Sequence, residues 1–315
     1  MKSILKKVAG VAVAAVLALG MFGCSNGIDY PVKETVATPT FSVEPGAVNS
    51  GTSVTITCAT DGAKIYYTKD ETEPTAESTE YTDAISVTPP MTLKAIAVKD
   101  GMNNSAVASV SYTIYTPKYS VGDFVLKDKT ILSKDTELTD TLKSNVAAVI
   151  VRADTSKKPA LGVGIVHNKM AWCTSDAAGN NKNITALQGG ITSDYMDGSD
   201  GWEKLKAACS DAENNPKYYP AWNYSLTYAE TNGLTEGWYL PTVSELYTIY
   251  QNKDVVDGSL SKAGGSTFGK SSYWSCCQSP FGSNTARILG LDYGDRGFVT
   301  KYYDKGYVCS VRAFN

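Results

Sequence analysis

The chain of 315 residues has a single histidine, His167. Any Ser-His-Asp or Cys-His catalytic arrangement would have to use that one ring, and a metal centre built on several imidazoles is excluded. Seven cysteines are present, yet none forms a Cys-x-x-Cys pair, which argues against a zinc site. Long basic runs are missing as well, and with a formal net charge of −3 no nucleic-acid partner is expected. No apolar run reaches the roughly 20 residues that a membrane-spanning helix needs. Phenylalanine is scarce, at 7 residues, beside 20 tyrosines and 5 tryptophans. This preference for rings with a polar edge suits half-buried strands and binding faces.

The first 23 residues combine Lys2, Lys6 and Lys7 with a short apolar run over 8–19, and small Gly23 stands directly before Cys24. This pattern resembles a bacterial lipoprotein signal, departing from it in the bulk of Phe22. The resemblance implies cleavage before Cys24, lipidation of Cys24, and a membrane-anchored place in the cell envelope, at the outer membrane or cell surface. More than one acyl chain makes such an anchor stable. Loss of residues 1–23, which carry three lysines and no acid, leaves 26 basic residues against 32 acidic ones. Residues 24–36 are polar and without periodicity, as expected of a flexible tether.

About 290 residues exceed what one core usually spans, so two domains are expected. Over 37–115, polar and apolar residues alternate at 53–58, 92–98 and 107–114, with Gly, Asp, Asn and Pro clusters between. The spacing, without any helical stripe, predicts an all-β immunoglobulin-like sandwich. Here Pro39, Phe41, Glu44 to Gly46, the run VTIT at 54–57, AKIYYT at 63–68, Glu73 to Thr75, Tyr81, LKAIA at 93–97 and Ser105 resemble the chitobiase C-terminal-like, fibronectin-III-associated module. The resemblance implies an accessory or spacer unit with no catalytic group. It departs at Lys69, Asp70 and Glu71, where a wider hairpin is expected, and the acids Asp70, Glu71 and Glu73 suit a solvated turn better than a cation site. Cys58 is the only cysteine of this domain.

A boundary is expected at 115–118, where Pro117 interrupts strand pairing. The domain from 116 to 315 opens with strands at 121–126, 147–151 and 161–166, continues through two or three helices, and closes with strands at 272–276, 286–291, 298–302 and 307–312. One sheet with helices on one side is the expected α+β arrangement. Asp200 and Glu203 have the spacing of a capping box before Trp202, Leu205 and Ala208, and Pro220 opens a second helix. Asp194, Asp197 and Asp200 lack the spacing of an EF-hand loop. Thr242 and Glu245 form the strongest local signal, a reciprocal box before Val243, Leu246, Ile249 and Tyr250, so Glu245 is expected to cap rather than catalyse. Trp238 and Trp274 belong to the expected core, His167 to a strand end, and Cys276 or Cys277 is open to pairing with Cys309 or to burial as a free thiol.

Gly122 to Phe124, Lys127 and Asp128, GVGIV at 162–166, YPAW at 219–222, GWYLPT at 237–242, Glu245 and Leu246, YWS at 273–275 and VRAF at 311–314 together resemble the Lcl C-terminal-like domain. That family is similar to C-type-lectin-like folds. The resemblance implies a surface-exposed, non-catalytic domain binding glycan, sulfated polysaccharide or a host or extracellular protein. The proline triplets of calcium-dependent sugar sites are absent from the sequence, so no metal or other cofactor is expected. The expected ligand face lies on the last strands and turns, with Asn284, Arg287, Tyr293, Asp295, Arg296, Tyr302, Tyr303 and Lys305. Alternatives are an accessory component of a carbohydrate-active enzyme system and a retroelement-diversified recognition protein.

Overall fold

The computed structural model describes residues 33–189, 197–234, 236–303 and 306–315. Cys24, Asp194 and Lys305 lie outside the described residues. The described part is mostly β-sheet with a smaller helical share.

In the first domain a five-stranded sheet runs in the order Gly46–Val48, Ala108–Ile114, Met91–Val98, Lys64–Thr68, Thr79–Glu80. The first pair is parallel, the others antiparallel. Two short pairs complete the sandwich, Thr40–Phe41 with Ile56–Thr57 and Thr52–Val54 with Ile85–Val87. Residues 53–58 therefore do not form one strand. The segment changes partners at Thr55, whose amide donates to Ser42 Oγ while its carbonyl accepts from the Ser42 amide. The alternation of Ile85, Ser86 and Val87 puts both apolar side chains inside and the serine out. Val54, Ile56, Leu93, Ala95, Val110 and Tyr112 share that core. The hairpin after Thr68 is wide. Asp70 accepts from Thr72 Oγ1 at 2.6 Å and Glu73 pairs with Lys94, so these acids brace the turn.

The second domain has two sheets, where the sequence pattern pointed to one. A six-stranded antiparallel sheet runs Ile131–Leu132, Phe124–Leu126, Val146–Arg152, Ala160–Gly164, Val311–Phe314, Trp238–Tyr239. A five-stranded sheet runs Asn168–Lys169, Tyr307–Val308, Ser272–Gln278, Thr285–Gly290, Arg296–Thr300. The expected last strand at 307–312 is divided at Cys309 and Ser310, and its two halves serve different sheets. Such a partner exchange leaves no mark on apolar periodicity. The central strand Val146–Arg152 is buried on both faces: Val149 and Val151 face the main core, and Ala148 and Ile150 a second cluster with Tyr228, Trp238 and Phe314. Gly164 is required next to it, because a Cβ there would stand 2.3 Å from the Tyr228 ring.

Helices are more numerous and shorter than the sequence pattern indicates. Gly201–Ala208 and Asp211–Asn214 are separate, and the helix opened by Pro220 ends at Leu226 before Tyr228–Asn232 begins. The expected box at Asp200 does not form. Its carboxylate instead pairs with Lys204 at 2.9 Å, and Glu203 pairs with Lys206. The box at Thr242 does form, and the helix it starts, Val243–Gln251, packs against strands of both sheets. Cys276, Cys277 and Cys309 are buried and in no disulfide among the described residues, as are Cys173 and Cys209; half-buried Cys58 is in none either.

Candidate functional site

Strand alternation divides the expected ligand residues between two faces of the five-stranded sheet. Arg287 pairs across the ladder with Phe298, and Leu289 with Arg296, so these four side chains share one face. Ile288 and Val299 point the other way, where with Trp274 and Tyr303 they line a depression of about 170 Å³. Tyr303 thus lies across the sheet from the two arginines. Asn284 and Tyr302 are exposed at the far end of the hairpin, where the Asn284 carbonyl accepts from the Lys301 amide. Asp295 is exposed in the turn before Arg296.

The face that carries Arg287 and Arg296 continues as a strip of rings. Phe281, 86% exposed, meets Phe298 edge to face at 5.7 Å between centroids. The Arg287 guanidinium stacks 4.7 Å over Phe298, and that of Arg296 stands 5.9 Å over Tyr247. Tyr247 and Tyr250, one turn apart on the helix Val243–Gln251, lie 5.7 Å apart. Gly294, at φ +73°, lets the next turn settle on the Tyr250 ring, where a Cβ would stand 2.7 Å from it. Beyond Tyr250 opens a cleft of about 820 Å³ with Tyr250, Gln251, Asn252, Lys270, Asp292 and Tyr293 in its walls. Tyr293 is 74% exposed, a high value for a tyrosine.

Charge on the strip is one-sided. Neither Arg287 nor Arg296 takes part in an ion pair among the described residues. Burial holds the Arg287 guanidinium below its usual range, Cys277 opposes that, and the charge of Arg296 adds to the lowering. Two cations left facing aromatic rings, next to an open polar cleft, form a surface able to stack planar rings and to receive anionic or hydroxyl groups. Sequence reasoning placed Tyr250 in the inward stripe and passed over Tyr247, Phe281 and Phe298. The available signals were the i,i+3 tyrosine pair and an isolated phenylalanine in the Ser-Pro-Phe-Gly turn.

Glu245 and His167 are engaged in the interior. Glu245 is 2% exposed and accepts from Tyr239 Oη at 2.7 Å, the Thr242 amide at 2.8 Å and the Gly198 amide at 3.3 Å. Burial raises its carboxyl to about 7 against the pull of these donors. His167 is buried against Phe268, with Nδ1 3.0 Å from Tyr273 Oη and Nε2 3.2 Å from the Gly164 carbonyl. Burial lowers its imidazole to about 4, so it is neutral at physiological pH. Trp238 and Trp274 are core residues whose indole N–H groups donate to the Leu234 and Met170 carbonyls. No cluster of three or more metal-ligating side chains occurs among the described residues.

Residues 43–109 match the family described as chitobiase/beta-hexosaminidase C-terminal domain, and the first domain is accordingly a chitobiase C-terminal-like module with an immunoglobulin-like sandwich. Among solved structures the chain is similar to a fimbrial protein from Bacteroides ovatus at 13% identity and a TM-score of 0.46, over 89% of this chain and 70% of that one. No curated protein matches the chain.

Proposed function

We propose that this is a lipid-anchored, surface-exposed envelope protein whose second domain, of the Lcl C-terminal-like and C-type-lectin-like kind, binds a glycan or another extracellular ligand without chemical turnover. The observation that carries the reading is the strip of Arg287, Arg296, Phe298, Tyr247 and Tyr250 leading into a cleft walled by Tyr293. The leader-like residues 1–23 before Cys24 support the anchor, and the chitobiase C-terminal-like module supports a spacer that carries the binding domain away from the membrane. Stacking of sugar rings on tyrosine and phenylalanine, with arginine on hydroxyl, carboxylate or sulfate groups, is the recognition this surface fits.

The test is retention of the chain from Ser25 to Asn315 on an array of neutral glycans and sulfated polysaccharides, with and without calcium, and with assay of released product. Saturable binding weakened at least roughly tenfold by Arg296→Ala or Tyr293→Ala is expected, as for truncation of an interface anchor. Absence of retention on every glycan would redirect the reading to a protein ligand, and released product would overturn its non-catalytic part. For the anchor, labelled palmitate should enter the wild-type chain in cells and not Cys24→Ser; equal labelling would refute it.

A further inference from the structure

Lys301 is 0% exposed, and no carboxylate pairs with it among the described residues. Its ammonium donates to three backbone carbonyls, those of Gly179 at 2.6 Å, Ser283 at 2.7 Å and Lys182 at 3.2 Å. It also lies 5.0 Å from the centroid of the Trp172 ring. All three N–H donors are therefore used on neutral dipoles, with a π face beside them. The surroundings are built to hold this geometry. Gln278, also buried, donates to the same Lys182 and Ser283 carbonyls and accepts from the Ile184 amide at 2.7 Å. The Lys301 carbonyl accepts from the Trp172 and Cys173 amides. Two loops far apart in sequence, 179–184 and 279–284, thus converge on one positive charge.

We propose that Lys301 occupies an internal cation site formed by the Gly179, Lys182 and Ser283 carbonyls and the face of Trp172, and that the emptied site takes up a small primary alkylammonium ion from solution. Converging carbonyl dipoles repel one another unless a cation lies among them, and a charge tethered to the strand end fills that place without loss of a free ion's entropy. The loop that carries Phe281 and Asn284 is thereby fixed by a charge the chain itself supplies. This assignment does not rest on the glycan reading.

In the whole chain, Lys301→Ala leaves Cβ in place, so propylammonium is the missing fragment. Thermal unfolding followed by tryptophan fluorescence should show a lower midpoint for Lys301→Ala. Propylammonium should raise that midpoint saturably and leave the wild type unmoved, while tetramethylammonium and propanol, lacking either donors or charge, should not. Equal effects of the three additives, or none from propylammonium, would overturn the assignment. Should Lys301→Ala fail to fold, Lys301→Met carries the test by hydrogen exchange. Amides in 179–184 and 281–285 should exchange roughly tenfold faster or more, with 37–114 unchanged. Wild-type exchange in those two loops would equally overturn it.

Discussion

In the sandwich the core is made of aliphatic side chains and Tyr112, and Ser105 is the only buried residue classed as polar or charged among its described residues. In the second domain Lys301, Glu245, His167, Asp123, Asp154 and Gln278 are all buried. Part of the difference lies in irregular backbone. The sandwich's strands pair within its sheets, whereas 179–184 and 197–200 in the second domain lie outside strands and helices and carry amides and carbonyls that need partners inside. Gln278, Lys301 and Glu245 supply them. The sandwich core is almost wholly apolar; the second domain also depends on individual buried polar groups.

Because all five tryptophans lie after residue 115, their fluorescence reports the second domain, while far-UV circular dichroism reports both. Trp274→Ala should cost about 3–5 kcal/mol, the range for a deleted core aromatic, and shift the fluorescence-detected transition together with the second domain's share of the circular dichroism change alone. Leu93→Ala, at about 2–5 kcal/mol, should shift the sandwich and leave fluorescence unchanged. A shift of the fluorescence transition by Leu93→Ala would merge the two regions into one cooperative unit.

Next in size is the junction. Asp154 accepts from the Tyr115 hydroxyl and from the amides of Lys118 and Tyr119, the latter at 2.9 Å. Burial works against its ionised form, but these donors outweigh it and hold the carboxyl below its usual range. Asp154→Ala should cost about 1–3 kcal/mol through the unpaired donors and speed proteolytic cleavage within 115–119, visible as release of the sandwich. An unchanged cleavage rate would show that the link is held by other contacts.

Thr242→Ala should lower the second domain's stability by about 1 kcal/mol, read from its denaturant midpoint, with no effect on the sandwich. Smaller still is the net pH response of the two buried titratable groups, because they oppose each other. Glu245, raised from 4.5 to about 7, contributes stability that is full below its unfolded value and lost as pH rises through 7. His167, lowered from 6.5 to about 4, contributes stability that is full above 6.5 and lost as pH falls through 4. Between pH 4.5 and 6.5 the wild-type midpoint should change little, whereas Glu245→Gln should gain stability with rising pH and His167→Gln should lose it. The same slope in both variants would contradict the assignment. Least of all, Phe281→Ala and Tyr293→Ala should each alter stability by under about 0.5 kcal/mol, as exposed residues do, so any loss of binding in Tyr293→Ala would be a surface effect.

Local order was written plainly in the sequence. The alternation at 92–98, the apolar run at 147–151, and the Thr242 to Glu245 spacing each specify an element through bonds and burial within a few residues of themselves. The Asp200 box fails locally too: its backbone, at φ −95° and ψ 2°, is not extended as a cap requires, and the exposed carboxylate pairs with Lys204. Of the candidate site, arginine and tyrosine in the closing hairpins were legible as residue types, and nothing in the sequence sorted them by face.

That sorting belongs to the tertiary structure. Register places Arg287 opposite Phe298 and sends Tyr303 to the other side, and the helix at 243–251 brings Tyr247 and Tyr250 under Arg296 and Gly294. The division of the last strand between two sheets and the meeting of the Gly179 and Lys182 carbonyls with Lys301 are likewise decided by segments more than a hundred residues apart. Periodicity encodes which side of an element is apolar; it carries no record of the partner it will meet, because pairing energy arises only once the distant backbone is in place.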